Sequence, residues 1–452
     1  MKKTILTLSL FASGLIAISQ TNPAITAWLQ NTTVKGRHYV SGNPTPINDA
    51  ALTANVQTVQ YSANYAYAST QGVPSYITGP FLDGNPSLTS NQNAIFKFPL
   101  NPVQNTGSLT STSGGNIGVF INGVAMFDYR DGVSWKSSSN SLAGGPLGGM
   151  GDGVWNRDAI VAEKAGFDCS KGHPAMGNYH HHQNPSAFKL DIVVTSTICN
   201  LYDADGLYVI NSSAHSPLIG FAYDGFPVYG AYGFQNANGT GPIVRMKSSW
   251  SLRSITTRTT LYTGATATST GPAVSATYPL GYFKEDYTYT APTASDYLDD
   301  HNGRFCVTPE YPAGIYCYFA TVDANHNSAY PYLVGPTYYG TKVATKVTSI
   351  TESVTTYTTT TGLYKNNIDN AKVTVFPNPT SEIIAVQITD LVTENYEVVL
   401  TDMLGKLVAK TNLNKGSTIV YLDTKTLYAG EYFVTLISES GNKISKKVTI
   451  LK

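Results

Sequence analysis

Residues 116–129, Asn116-Ile-Gly-Val-Phe-Ile-Asn122-Gly123-Val-Ala-Met-Phe-Asp-Tyr129, place two apolar runs on either side of an Asn-Gly pair. Asn and Gly tolerate the positive φ that a tight two-residue turn demands, so the segment reads as a β-hairpin. The same pattern of short β-prone runs broken by Gly, Pro and Asn extends across most of the chain. With 40 Gly, 23 Pro and 31 Tyr against 42% hydrophobic residues, the composition is that of a folded, turn-rich, mainly β protein, not a disordered one. One helix is expected, from Arg157 to Ala165, with Asn156 or Asp158 near its start and Gly166 as its stop.

That helix leads into Cys169-Ser-Lys-Gly-His173-Pro-Ala-Met-Gly-Asn-Tyr179-His180-His181-His182-Gln-Asn-Pro185, which holds four of the chain's eight histidines. Histidine supplies a neutral nitrogen donor near neutral pH, so such clusters point to metal binding or proton transfer. If Tyr179–His182 is extended, side chains alternate: His180 and His182 share one face, Tyr179 and His181 the other. His173, on the preceding Gly/Pro loop, is the expected third ligand, leaving an open position as in catalytic metal sites. Imidazole-rich ligation suits copper or zinc, and spacing does not choose between them. Asp224, in a Gly/Pro-framed turn, and His301, in Asp299-Asp300-His301, are candidates for a further ligand, a supporting partner or a general base; Tyr179 and His181 are candidates for support.

The remaining features bound the function. Basic and acidic residues balance at 29 each with no basic cluster, which argues against a nucleic-acid partner. Lys2 and Lys3 precede an apolar run, Ile5–Ile18, and small residues before Gln20, so residues 1–19 read as a secretory signal peptide. No other segment has the apolar length of a membrane span. In an exported chain Cys169, Cys199, Cys306 and Cys317 are disulfide candidates, open to three connectivities. Phosphate loops, dinucleotide fingerprints and Gly-x-Ser-x-Gly elbows are absent from the sequence, and adjacent carboxylates such as Asp299-Asp300 point opposite ways on a strand.

Residues 20–340 read as one large β-rich domain, within which 251–278 is a Ser/Thr-rich surface excursion. Residues 341–370, dominated by Thr, Val and Ser, read as an extended linker in which high β-propensity leaves room for a strand. From 371 to 452, alternating strands expected at 372–376, 383–388, 397–400, 418–422, 432–438 and 443–451 argue a small β-sandwich.

Two resemblances add to this. Val375-Phe376-Pro377-Asn378-Pro379, Leu400-Thr401-Asp402-Met403-Leu404-Gly405-Lys406, Leu427-Tyr428-Ala429-Gly430-Glu431-Tyr432 and the lysine-bearing end Lys443–Lys452 resemble the C-terminal sorting domain of the type IX secretion system of Bacteroidetes bacteria. The resemblance implies the secretion machinery as a partner of residues 371–452, removal of that domain, and release or anchoring at the cell surface. Residues 115–340 resemble the YHYH family, through Gly166-Phe167-Asp168-Cys169, Gly172-His173-Pro174, Tyr179-His180-His181-His182, Gly220-Phe221-Ala222-Tyr223-Asp224-Gly225-Phe226-Pro227, Leu298-Asp299-Asp300-His301-Asn302-Gly303 and Tyr330-Pro331-Tyr332. His181 stands where the family motif has its second Tyr, and Tyr316-Cys317-Tyr318-Phe319 stands where some relatives repeat it without either histidine here. This resemblance carries no established activity or catalytic residue.

Two readings of function therefore stand. One is a transition-metal site on His173, His180 and His182. The other is a surface adhesion or polysaccharide-binding module in which Tyr and His form a buried polar network. His38, His215 and His326, which lack a supporting constellation, are expected at the surface or in turns.

Overall fold

The computed structural model describes residues 21–41, 43, 45–81, 88–112, 114–185, 207–208, 210–343, 346–358, 373–388, 395–403, 405–438 and 443–452. The expected signal peptide and Cys199 lie outside them. Two compact units are present, Met1–Tyr357 and Thr358–Lys452. Both are built from strands.

The first unit rests on two sheets. One is five-stranded and antiparallel throughout, formed by β1 (Val56–Tyr61), β2 (Tyr65–Thr70) and β3 (Ala94–Pro99) flanked by two later strands. The other has eight strands: β4 (Asn116–Phe120), β5 (Ala125–Phe127), β6 (His173–Ala175), β7 (Asn178–His181), β8 (Leu218–Ala222), β9 (Pro227–Tyr229), β10 (Gly303–Cys306) and β11 (Ile315–Phe319). Its spatial order is β6-β7-β5-β4-β8-β9-β11-β10, antiparallel except where β7 joins β5 and β9 joins β11. Phe98 of β3 meets Phe221 of β8 with centroids 6.0 Å apart, and Trp28 packs on both rings at 5.4 Å. One apolar core thus lies between the sheets, as burial of one face of each requires.

The hairpin expected from Asn122-Gly123 is β4–β5, paired Val119 to Ala125. Gly123 has φ +79°, and a Cβ there would meet the Thr70 Oγ1 at 2.3 Å, so the turn requires glycine twice over. The helix is real but short: α1 spans Ala159–Glu163, and the Asp158 carboxylate caps it by accepting from the Ile160 and Val161 amides.

The structure adds detail to two expectations and overturns a third. The supposed linker contributes β12 (Lys346–Val347), paired to β3, and β13 (Thr355–Tyr357), paired to β1, so it closes both edges of the five-stranded sheet. The 251–278 excursion is pinned by Arg258, fully buried, whose guanidinium donates to both Asp286 carboxylate oxygens at 2.7 and 2.8 Å and to the carbonyls of Pro272, Tyr278 and Pro279. His38, expected at the surface, is 5% exposed and pairs with Asp49 at 2.9 Å.

The second unit is a sandwich. β14 (Val373–Phe376), β15 (Ile383–Ile388) and β18 (Ile419–Asp423) form one sheet, ordered β14-β15-β18. β16 (Tyr396–Asp402), β17 (Leu407–Leu413), β19 (Gly430–Ser438) and β20 (Lys443–Ile450) form the other, ordered β17-β16-β19-β20. Ile384, Val386 and Leu422 from the first sheet and Val398, Val434 and Val448 from the second share one core, as strict alternation predicts. The sequence pattern missed β17, whose Leu-Val-Ala-Lys-Thr-Asn-Leu run has no clean period of two.

Candidate metal centre

The histidine segment forms an edge hairpin. His173 opens β6 and stands directly opposite His180 of β7, so it is a strand residue, not the loop residue expected. The turn between them uses Gly177 at φ +80°. β7 then runs parallel to β5, His180 beside Ala125 and His181 beside Met126. Alternation does the rest: His180 and His182 emerge on one face with Nε2 atoms 3.1 Å apart.

His173, His180 and His182 gather their donor atoms within 4.8 Å of one another, and all three are nearly inaccessible, at 4%, 1% and 3%. Each ring is held. His180 Nδ1 donates to the Asn178 carbonyl at 2.8 Å, and the His180 ring stacks on Phe127 with centroids 3.7 Å apart. His182 Nδ1 donates to the Asp128 carbonyl, just past β5. Phe167 meets His173 edge-on at 4.8 Å. Metal-bound histidines usually donate their other ring N–H to a carbonyl or carboxylate in this way, which turns the remaining nitrogen's lone pair inward.

A fourth group, missed in the sequence, completes the cluster. Glu163, the last residue of α1, places Oε2 3.2 Å from His173 Nε2 and 3.1 Å from His182 Nε2, without the alignment of a hydrogen bond. Burial pushes its carboxyl up, but the two imidazoles outweigh that and hold it well below the usual carboxylate range. The His180 ring sits well below its ordinary value, first because it is buried and then because His182 and His173 face it. The only advance signal for Glu163 was its place on the one credible helix before the motif.

The other face of β7 is core. Tyr179 donates to the Asp168 carboxylate at 2.9 Å, and His181 Nε2 meets the Tyr76 hydroxyl at 2.6 Å. Burial drives the His181 ring down to about 3. Asp168 also accepts from the Ser170 and Gly172 amides at 2.9 and 3.1 Å, which shapes the loop that delivers His173. Gly172 admits no side chain, since a Cβ would lie 2.5 Å from the Tyr179 hydroxyl. Neither Tyr179 nor His181 turns toward the three-histidine face.

Asp224 and His301 find partners elsewhere. Asp224 accepts from the Tyr318 hydroxyl at 2.5 Å and from the Gly340 amide at 2.8 Å, while His301 Nδ1 bonds the Thr337 hydroxyl at 2.7 Å. Burial raises the Asp224 carboxyl to about 6, with those hydrogen bonds limiting the rise. A native value above the unfolded one means a stabilisation complete below about pH 4 and lost as pH climbs through about 6, worth about 3 kcal/mol. Asp224→Asn is therefore expected to flatten part of the decline in urea midpoint between pH 4.5 and 7, and an unaltered slope would contradict this.

Cys169 is buried outside the ligand set. Cys306 and Cys317 are buried free thiols, so the bridge expected for them is not formed. Cys306 faces Ile315 and Cys317 faces Arg304, a diagonal across the β10–β11 ladder. Such diagonals separate Cα atoms by about 7–8 Å, at the limit a disulfide spans. Among the described residues no helix is long and apolar enough to cross a membrane.

Comparison with known proteins places these features. The YHYH protein family matches residues 95–330, and the secretion system C-terminal sorting domain family matches residues 374–451. No curated protein matches. Among solved structures, a DUF3244 family protein with an immunoglobulin-like β-sandwich from Bacteroides vulgatus is 17% identical, over 19% of this chain and 89% of that one, with a TM-score of 0.17. With the histidine hairpin at the edge of its large sheet and a matched sorting domain at its C-terminus, the chain belongs to the YHYH protein family and is a secreted or cell-surface protein handled by the type IX secretion machinery.

Proposed function

We propose that the YHYH domain holds one divalent transition-metal ion, zinc or copper, through His173, His180, His182 and Glu163. The observation that carries this is a confrontation of lone pairs. His180 and His182 each commit Nδ1–H to a carbonyl oxygen, so in the neutral rings two Nε2 lone pairs face each other at 3.1 Å. Glu163 Oε2, an acceptor only, adds negative charge 3.1 Å from His182 Nε2. In a buried site this arrangement is repulsive unless a cation sits among the donors.

A proton is the rival cation, yet burial makes the His180 ring a poor place for one. A metal satisfies all four groups at once. Tetrahedral coordination at zinc–nitrogen bond lengths separates adjacent donors by about 3.3 Å, close to the 3.1 and 3.2 Å of three donor pairs here, while the three imidazole donors as a set lie within 4.8 Å of one another and would draw in on the ion. Four protein donors are the number of a closed site, so the ion would tie α1 to the β6–β7 hairpin. Glu163, whose side chain is 20% exposed, is the ligand best able to yield its place to an incoming group.

Glu163→Gln keeps the shape and removes the charge. It is expected to weaken zinc or copper binding roughly 10- to 100-fold in competition with a chelator, at unchanged stoichiometry. Unchanged affinity would remove Glu163 from the ligand set. The adhesion reading has less behind it: the tyrosines standing out among the described residues, Tyr262, Tyr297, Tyr421 and Tyr428, are divided between the two units. The domain limits that accompany the proposal are a leader at 1–19, the metal-holding domain at 20–357 and the sorting domain at 371–452.

A further inference from the structure

We propose that the cleft beside the histidine cluster, between α1 and Gln183, binds a small organic carboxylate. The cleft encloses about 280 Å³, just below the range of ordinary small-molecule pockets, so its occupant is smaller than a drug-sized ligand. Its polar lining is Lys164, Gln183 and Ser328, and its apolar walls are Ile160, Val161 and the rings of Tyr287 and Tyr332. Among the described residues no acidic side chain lines it.

The polar groups offer donors and little else. Lys164, exposed at the rim, has no acidic ion-pair partner among the described residues, which leaves its ammonium available to a ligand. Ser328 donates its hydroxyl to Gln183 Oε1 at 2.5 Å, which occupies the amide's acceptor and leaves its NH₂ donors. Asp158, fully buried, accepts from the Tyr332 hydroxyl at 2.7 Å and does not line the cleft. A carboxylate matches an ammonium and an amide NH₂ placed together. Tyr287 stacks on Tyr330 at 4.1 Å and 10°, a rigid wall for a short hydrocarbon or aromatic body.

The position connects this cleft to the cluster. Lys164 follows Glu163 in the chain and Gln183 follows His182, so two of the four proposed metal ligands neighbour the carboxylate-binding groups. The inference does not need the metal, because every group invoked belongs to the protein.

The test is calorimetric and NMR titration of the secreted protein with benzoate and with butyrate, metal-loaded and chelator-treated, with metal content measured in parallel. Saturable binding is expected, weakened roughly tenfold or more in Lys164→Ala and retained in Lys164→Arg, with metal content unchanged in both. Lys164 is exposed, so its variants should fold. Absence of saturable carboxylate binding, equal binding by Lys164→Ala, or preference for inorganic phosphate would each overturn the inference. Loss of metal alone would count against the metal proposal and leave this one standing.

Discussion

The His180→Ala, His182→Ala double variant is expected to bind neither zinc nor copper at stoichiometric level, and to lose the thermal stabilisation that metal confers on the native protein. Two of four donors vanish, and the two left, His173 and Glu163, come from separate elements with no shared backbone support. A ligand present at a thousandfold excess over its dissociation constant stabilises by about 4 kcal/mol, so the metal-dependent rise in melting temperature should disappear entirely. Without metal the same variant should lose less, because it also removes the opposed nitrogens. His181 supplies the control. It lies on the core face of β7 against Tyr76, so His181→Gln should disturb stability but leave one metal per chain. Metal retained by the double variant, or lost from His181→Gln, would place the site elsewhere.

Arg258→Ala is expected to destabilise the first unit by about 3–5 kcal/mol, the range for breaking a buried ion pair from one side. Arg258 and Asp286 are both fully buried, and the guanidinium satisfies three backbone carbonyls besides the carboxylate. Removing it strands the Asp286 charge and releases those carbonyls together. The 251–278 excursion also covers Trp155, whose indole N–H donates to the Ser269 carbonyl at 2.7 Å. Urea unfolding should therefore show a lower midpoint, and limited proteolysis should cut first within 251–278. A loss below about 1 kcal/mol would mean that the pair behaves as a surface one.

Much of the candidate site was legible in the sequence, for local reasons. Alternation along Tyr179–His182 depends on neighbouring residues alone, so assigning His180 and His182 to one face needed only the assumption of an extended strand. The Asn122-Gly123 hairpin and the Asp158 cap of α1 were equally local, although the helix ends at Glu163 and not at Ala165. What escaped was set by long-range pairing. His173 became the cross-strand partner of His180 only through the hairpin register, and the Asp128 carbonyl reaches His182 only because β5 and β7 run parallel across 54 residues of sequence. Glu163 shows the limit most clearly: a glutamate at the end of a short helix is ordinary until the fold turns it inward. Asp224 and His301 show the converse, since both sit in motif-rich segments and both are engaged away from the cluster.

A metal ion held by His173, His180, His182 and Glu163 would join the β6–β7 hairpin to α1. X-ray absorption spectroscopy with elemental analysis, on protein recovered from its own secretion route, tests this most directly. One zinc or copper per chain is expected, bound by three imidazole nitrogens and a carboxylate oxygen at about 2.0–2.2 Å and by no sulfur. Protein that arrives without metal and stays empty under zinc and copper titration, or a shell containing cysteine sulfur, would contradict it.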